Sequence, residues 1–346
     1  MADDWEPPLP PGYNDAHRAF LQAFMARGTL TFREGRKLLA AIASASNAGR
    51  DGDSDGEGEG EGHGHGHGPV NPDSITMADF ESWVRTVREA VEPLDFDVRN
   101  TRDQVRGERV WAFVNAHSDP VTQLGTARTP DEVAYVKRLL DAMFDQHNTP
   151  RMEVMAVDEG QALRASRPRG RESQAGGDAD AGEEGTQAPA AARPLKHSEV
   201  LALLASLVAE GWLRKSQDGF YDLTPRALME LWPWLVETYN DPEPADGDWQ
   251  RIKFCEACKE IVTHGQRCDN LDCTVRLHDI CDEAFWRTRS ARTCPKCGTP
   301  WEGNHFVGER AVTTRAGFQR GRGARRRTEA AQNDEEPVDE EEEEGA

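Results

Sequence analysis

The sequence predicts an α+β chain of several domains: two similar units of helices followed by a strand hairpin, then a compact cysteine-rich module, with low-complexity insertions and a low-complexity tail. Three observations predict it. Helical and alternating apolar periodicities recur twice in the same order. All seven cysteines fall between positions 255 and 297 of a 346-residue chain. Stretches rich in Gly, Ala and acids, poor in apolar residues, separate the periodic segments and cannot bury enough surface to offset the entropy of ordering.

In the first unit, Asn14 to Arg27 reads as a helix with Ala16, Phe20, Ala23 and Phe24 on one face and Gly28 as its stop. Thr31 and Glu34 form a capping box for a second helix carrying Leu38, Leu39 and Ile42. A third helix starts near Thr76 and spaces Phe80, Val84, Val87 and Val91 along one stripe. Leu94, Phe96 and Val98, then Val110 to Val114, alternate around a polar loop and read as a hairpin. Three helices and a hairpin are the winged-helix order. Thr129, Pro130 and Glu132 announce one more helix. The second unit is more compact: a helix Ser198 to Glu210, a strand from Trp212, the turn Asp218-Gly219, a strand Phe220 to Leu223, and a helix opened by Thr224-Pro225. Arg151 to Arg164 is the candidate for its opening helix.

These readings set the domains. The first winged-helix domain covers 13–147 with a disordered insertion at 47–74; the second covers 148–243 with one at 166–194. The cysteine-rich module covers 250–304, and 308–346 is a disordered basic-then-acidic tail. The net charge of −21 belongs mostly to those segments. Six acids lie in Asp51–Glu61, five in Glu172–Glu184 and nine in Asp334–Glu344. The low isoelectric point therefore says little about what the folded parts bind. The N-terminus is acidic and lacks the apolar stretch of a secretory signal. The apolar run Val200–Ala209 is too short to span a bilayer. A reducing, intracellular setting is expected, where clustered cysteines point to metal rather than disulfides.

The ligand series is Cys255, Cys258, Cys268, Cys273, His278, Cys281, Cys294 and Cys297. Each Cys-x-x-Cys or His-x-x-Cys pair fits two corners of a tetrahedral zinc site, and four pairs close two sites with no open position. The expected cofactor is two structural zinc ions. The crossed pairing of a RING gives Cys255, Cys258, His278 and Cys281 to one ion, and Cys268, Cys273, Cys294 and Cys297 to the other. His264 is an alternative ligand, but as a loop histidine between two good pairs it is expected to be solvent-exposed. A PHD finger shares the ligand order but usually has Trp two residues before its seventh ligand, where this chain has Arg292. A RING often has Pro after that ligand, matched by Pro295. Ile261, Phe285, Trp286 and Pro295 are candidates for an apolar patch that meets a ubiquitin-conjugating enzyme, with the alternative that Phe285 or Trp286 fills the module's small core. Active RING domains often carry Arg or Lys just after the last ligand; this chain has Gly298.

With those residues in place, the layout from about Asp15 to Trp301 resembles the non-SMC element one family, the RING-variant subunit of the structural-maintenance-of-chromosomes complex of the five/six type. The resemblance rests on Trp111-Ala112-Phe113-Val114-Asn115 with Asp119, Gly211-Trp212-Leu213, Gly219-Phe220-Tyr221, Arg226 to Leu231, and the zinc series through Cys294-Pro295-Lys296-Cys297 and Trp301. It implies tandem winged helices, a MAGE-domain partner subunit, a kleisin-like third subunit, and a role in DNA repair in the nucleus, on chromosomes. It also implies ubiquitin-ligase activity that depends on the MAGE partner. The long Gly-rich and acidic insertions depart from it.

A winged helix that reads DNA needs basic residues on its groove helix. The helix from Ser198 carries Glu199 and Glu210, and the helix from Met77 offsets Arg85 and Arg88 with Asp79, Glu81 and Glu89. Protein contact is the expected use of both, and Trp83, Trp111, Trp232 and Trp234 are candidates for contact or core. Six arginines between Arg315 and Arg327 suit nuclear import or a non-specific nucleic-acid contact. His63, His65 and His67 alternate with glycines, which suits at most weak metal chelation. No nucleophile–base pair or phosphate-cradling loop occurs. Catalysis would belong to the conjugating enzyme's thioester, with this chain positioning it and having no catalytic residue of its own. A purely structural scaffold is the alternative.

Overall fold

The computed structural model describes residues 9–51, 69–116, 128–168, 193–245 and 248–321. In the first unit, α1 (Asp15–Arg27) is N-capped by the Asn14 side chain, and its last turn closes where the Gly28 amide donates to the Phe24 carbonyl at 2.9 Å. The capping box expected at Thr31/Glu34 opens α2 (Phe32–Asp51), and a second one, Thr76/Asp79, opens α3 (Met77–Val91) where a helix start was expected. Strand β1 (Thr29–Thr31) adds to the hairpin β2 (Phe96–Arg102) and β3 (Arg109–Asn115), giving an antiparallel sheet in the order β1-β3-β2. Phe20, Phe24, Leu39, Phe80, Val84 and Trp111 pack into one core between helices and sheet. Gly35 lets α2 and α3 approach, because a Cβ there would lie 2.1 Å from the Phe80 ring.

The helix announced by Thr129 forms as α4 (Pro130–Asp141), but it packs with the second unit. Its Tyr135, Leu139 and Leu140 share a core with Leu203, Leu204, Leu207, Leu231 and Leu235. The boundary drawn at 147 therefore cuts through one core: sequence order put the helix with its nearer neighbour in the chain, while its apolar stripe has partners further along. The helix expected over Arg151–Arg164 is also corrected. That stretch holds β5 (Met152–Glu153), paired with β4 (Asn148–Thr149), then β6 (Val157–Asp158); only α5 (Glu159–Arg164) is helical. Val154 to Val157 are all buried, which suits a segment threaded through the core and not a one-faced helix. Strand β6 pairs with β8 (Phe220–Leu223), which pairs with β7 (Leu213–Lys215); α6 (His197–Ala209) and α7 (Pro225–Tyr239) cover the sheet.

Ordered structure reaches into two of the stretches expected to be disordered, at both ends of 47–74 and at the start of 308–346. Helix α2 runs to Asp51, and the Val70 amide donates to Ser44 Oγ at 2.8 Å, folding residues after 69 back onto it. Beyond 308, β11 (Phe306–Val307) is followed by α9 (Arg310–Thr313) and a helical turn over 316–321. Apolar Val312 and Phe318 pack against the cluster of Val154, Ala156 and Phe220 and fasten this segment. The His-Gly repeat, Asp119, most of the 166–194 insertion and everything after 321 lie outside the described residues.

The units dock through α7. Met229 packs on Ala112 and Val114 of β3, and Arg99 donates to the Met229 carbonyl at 3.2 Å. Arg226 stacks over Trp212 at 4.5 Å and lies against Gly28, where a Cβ would come within 2.7 Å of its guanidinium. Among the described residues no helix is long and apolar enough to cross a membrane.

Candidate metal centre

The cysteine-rich module holds a sheet of β9 (Gly265–Arg267), β10 (Arg276–Leu277) and β11 in the order β10-β9-β11, with α8 (Asp279–Arg287) beside it. Tight turns bring each ligand pair together: the Lys259 amide donates to the Cys255 carbonyl at 2.9 Å, and the Gly298 amide to the Cys294 carbonyl at 2.9 Å. Gly298 has φ +71°, a conformation that favours glycine. Strand β9 approaches the ligand His278 so closely that a Cβ on Gly265 would lie 2.3 Å from the Leu277 carbonyl oxygen.

All eight expected ligands converge in two sets with the crossed pairing. Cys255, Cys258, His278 and Cys281 form one cluster and Cys268, Cys273, Cys294 and Cys297 the other; within each, the ligand atoms lie within 4.8 Å of one another. Cys268–Cys297 and Cys273–Cys294 sulfur separations are 3.5 and 3.6 Å, close to the roughly 3.8 Å edge of a tetrahedron built on zinc–thiolate bonds of about 2.3 Å. His278 Nε2 faces the Ile261 carbonyl at 3.1 Å, so a proton there leaves the Nδ1 lone pair free; Nδ1 lies 3.3 Å from Cys258 Sγ. Contacts with Cys258 and Cys281 hold the Cys255 thiol far below its ordinary range. Three thiols this close repel one another once ionised, and a cation among them removes that repulsion.

A buried charge network beside the clusters was not foreseen. Glu153 of β5 takes Arg276 bidentately, through Nε and Nη2, both at 2.6 Å. It also meets Lys253 Nζ at 2.9 Å and Arg267 at 3.7 Å. Burial pushes the Glu153 carboxyl up, but hydrogen bonds from Arg276 and the charges of Arg276, Lys253 and Arg267 outweigh it and bring it down to about 2. Three buried cations thus share one carboxylate. Four thiolates around a divalent ion carry two negative charges, so a metal in the Cys268 cluster balances the excess. Arg276 also donates to the Cys273 carbonyl at 2.8 Å. The donor set, its spacing and this charge balance all fit a thiophilic dication in each cluster. The one local signal of the network was a lone acid, Glu153, inside the apolar run from Met152 to Val157.

His264 is buried, not exposed, and is no ligand: it reaches Asp222 and Arg214. Arg214 donates to Asp222 at 2.8 and 3.1 Å. The hairpin loop of the first unit completes the junction. Gln104 Oε1 accepts from the Thr263 and His264 amides at 2.9 and 3.0 Å, and Gln104 donates to the Ile261 carbonyl at 2.8 Å. Three of the four candidate enzyme contacts are consequently covered. Ile261 is 2% exposed beneath this junction, and Phe285 and Trp286 are 7% exposed, packed on each other and on Trp301. Only Pro295 is on the surface. Of the tryptophans, Trp111 is core, Trp83 and Trp234 are half-buried and Trp232 is exposed.

Fold and site together define a mixed α/β chain carrying a RING-like domain with two four-residue clusters fit to hold metal. Comparison with known proteins agrees: a RING-like domain model matches residues 255–297, and the family model described as Nse1 non-SMC component of SMC5-6 complex matches residues 17–231. The chain belongs to that family. It is 20% identical over 287 residues to the Bos taurus protein named non-structural maintenance of chromosomes element 1 homolog, covering 83% of this chain and 84% of that one. It is 23% identical over 235 residues to the Schizosaccharomyces pombe element 1, covering 67% and 81%. A chain of a solved Nse1-Nse3-Nse4 complex shares its fold, with a TM-score of 0.59, 19% identity, and coverage of 85% of this chain and 99% of that one.

Proposed function

We propose that this protein is the RING-type ubiquitin-ligase subunit of a chromosome-maintenance complex of the SMC five/six kind, acting in DNA repair in the nucleus. Two structural zinc ions and two winged-helix units would form one platform that holds a ubiquitin-charged conjugating enzyme. The observation that carries the reading is the crossed pair of closed four-ligand clusters, welded through Glu153 to the unit before them. Zinc in such closed sites supplies folding energy and no open coordination position. The reaction would then rest on orienting the enzyme's thioester, with no acid or base from this chain. A MAGE-domain subunit and a kleisin-like subunit are the expected partners, and the likeness to a chain of an Nse1-Nse3-Nse4 complex supports this. DNA contact would be indirect or through the basic run after Arg315.

The test is discharge of ubiquitin from a loaded conjugating enzyme by this chain, alone and with its MAGE-domain partner. Acceleration that needs the partner and disappears in Cys294→Ser supports the ligase. A second reading, a structural scaffold whose zinc module only makes protein contacts, is favoured by Gly298 and by the burial of Ile261, Phe285 and Trp286. No acceleration across a broad enzyme panel, with two zinc ions and the complex intact, decides for the scaffold.

A further inference from the structure

The first unit has a core of its own, around Phe20, Phe80 and Trp111. The second unit and the cysteine-rich module share another: Leu204, Leu231 and Leu235 lie in one cluster with Ile252, Leu277 and Trp301. Glu153 ties those two together with buried charge. Packing thus makes two bodies, the first unit on one side and the second unit with the cysteine-rich module on the other. Apolar contact between them is thin. Among the described residues, Met229 against Ala112 and Val114 is the one buried apolar cluster that joins them. Small, polar interfaces of this kind let domains move against each other.

Much of the remaining seam is polar and gathers on the loop between β2 and β3, residues 103–108. Gln104 alone makes four hydrogen bonds to the other body. Its Nε2 donates to the Ile261 carbonyl at 2.8 Å, and its Oε1 accepts from the Thr263 amide at 2.9 Å, the His264 amide at 3.0 Å and the Thr263 hydroxyl at 3.2 Å. Asp103 shapes the loop by accepting from the Val105 and Arg106 amides at 2.8 and 3.0 Å, and it meets Arg214 at 3.4 Å. Gly107 faces Ile280, which lies between the ligands His278 and Cys281. Val105 at the tip is 57% exposed, so the loop buries little apolar surface where it lands. Beneath it a cavity of about 20 Å³ is lined by Gln104, Ile261, Leu228 and Trp232, where a close-packed core would leave no such space. Water can replace a contact of this kind at small net cost, because the exchanged hydrogen bonds nearly cancel.

We propose that the first unit is a movable cover and Gln104 its latch. Lifting the cover opens the cavity and uncovers Ile261, which together with the exposed Pro295 forms the docking face for a ubiquitin-charged conjugating enzyme. The proposal rests on the ligase reading above, and it makes the burial of Ile261 the closed state of that ligase. Gln104 bonds the backbone between the first two ligand pairs and touches no metal ligand, so the latch opens with both clusters intact.

Hydrogen exchange and ubiquitin discharge on the full-length protein test the latch with Q104A. The Thr263 and His264 amides should exchange at least tenfold faster than in the parent. The Lys259 and Gly298 amides, which close ligand turns, should keep the parent's rates, and bound zinc should be unchanged. Across a panel of ubiquitin-loaded conjugating enzymes, Q104A alone should discharge at least one of them fivefold or more faster than the parent alone. Adding Ile261→Ala should remove that gain. Unchanged exchange at Thr263 and His264, or a gain that survives Ile261→Ala, overturns the proposal. So does a parent that discharges, alone or with its MAGE-domain partner, while Q104A alone is no faster than the parent alone; the ligase reading then stands without the latch. No discharge by either protein, with or without the partner, removes the ligase reading and the latch with it.

Discussion

Glu153→Gln keeps the shape of a buried side chain and removes the single negative charge shared by Arg276, Lys253 and Arg267, which are 0%, 6% and 3% exposed. The amide oxygen can still accept from one arginine nitrogen, but its NH₂ faces the other. Removing one partner of a buried ion pair typically costs about 3–5 kcal/mol, most of it the penalty of the charge left behind. At 2–4 °C per kcal/mol for a domain of this size, the loss in Tm is roughly 6–20 °C. Because β5 belongs to the second unit and Arg276 to the zinc module, both should loosen together. Thermal unfolding followed by circular dichroism, with bound zinc measured by mass spectrometry, is the assay. The pair Glu153→Gln and Arg276→Met should cost less together than the sum of the singles, since each removes the other's stranded partner. A Tm within 2 °C of the parent with both zinc ions retained would refute the reasoning and make the network incidental.

Three other outcomes are expected. Cys294→Ser should lower bound zinc towards one equivalent and expose the module to protease, since metal binding and folding are coupled; two retained ions with unchanged protease resistance would overturn the ligand assignment. Gly265→Ala places a Cβ 2.3 Å from the Leu277 carbonyl oxygen, an overpacking that costs about 1–3 kcal/mol; displacing β9 from His278 should also speed zinc loss to a chelator, and a chelation rate equal to the parent's counts against that close approach. Glu230 sits buried at the docking face of α7, where burial raises its carboxyl above the ordinary value despite Arg226, the Asn115 backbone and Arg99. A raised folded-state value gives stability that is present below the unfolded value and lost as pH rises through the folded one. Glu230→Gln should therefore raise Tm at neutral pH and flatten its fall with rising pH above the ordinary glutamate range; a lower Tm at neutral pH contradicts this.

Much of the fold and of the metal centre is legible in the sequence because the responsible interactions are local. Capping boxes at Thr31, Thr76 and Thr129 act over three residues, and each residue pair of the two clusters closes within one short turn. Apolar spacing marks α1 to α3 as clearly. Where the reading failed, a partner from far along the chain intervened. His264 looks like any loop histidine until Asp222, 42 residues before it, and Arg214 enclose it. Ile261, an apolar residue in a metal-binding loop, reads as a contact surface until Gln104, 157 residues earlier, covers it. The start of α4 is legible in Thr129, Pro130 and Glu132, but a cap marks where a helix begins and not the core that buries it.

The sequence by itself determined which eight residues gather into two crossed groups of four, the helix starts and the family to which the chain belongs, since rare residue types at short fixed spacings leave few alternatives. Tertiary structure decided the rest. It gave α4 to the second unit, joined the zinc module to that unit through a carboxylate 123 residues from its arginine, and set which apolar residues face water. Desolvating a charge is costly enough that Glu153 is tolerable only where distant cations, Arg276, Lys253 and Arg267, meet it. Which cations arrive depends on how the units dock, and short-range sequence pattern carries no record of that.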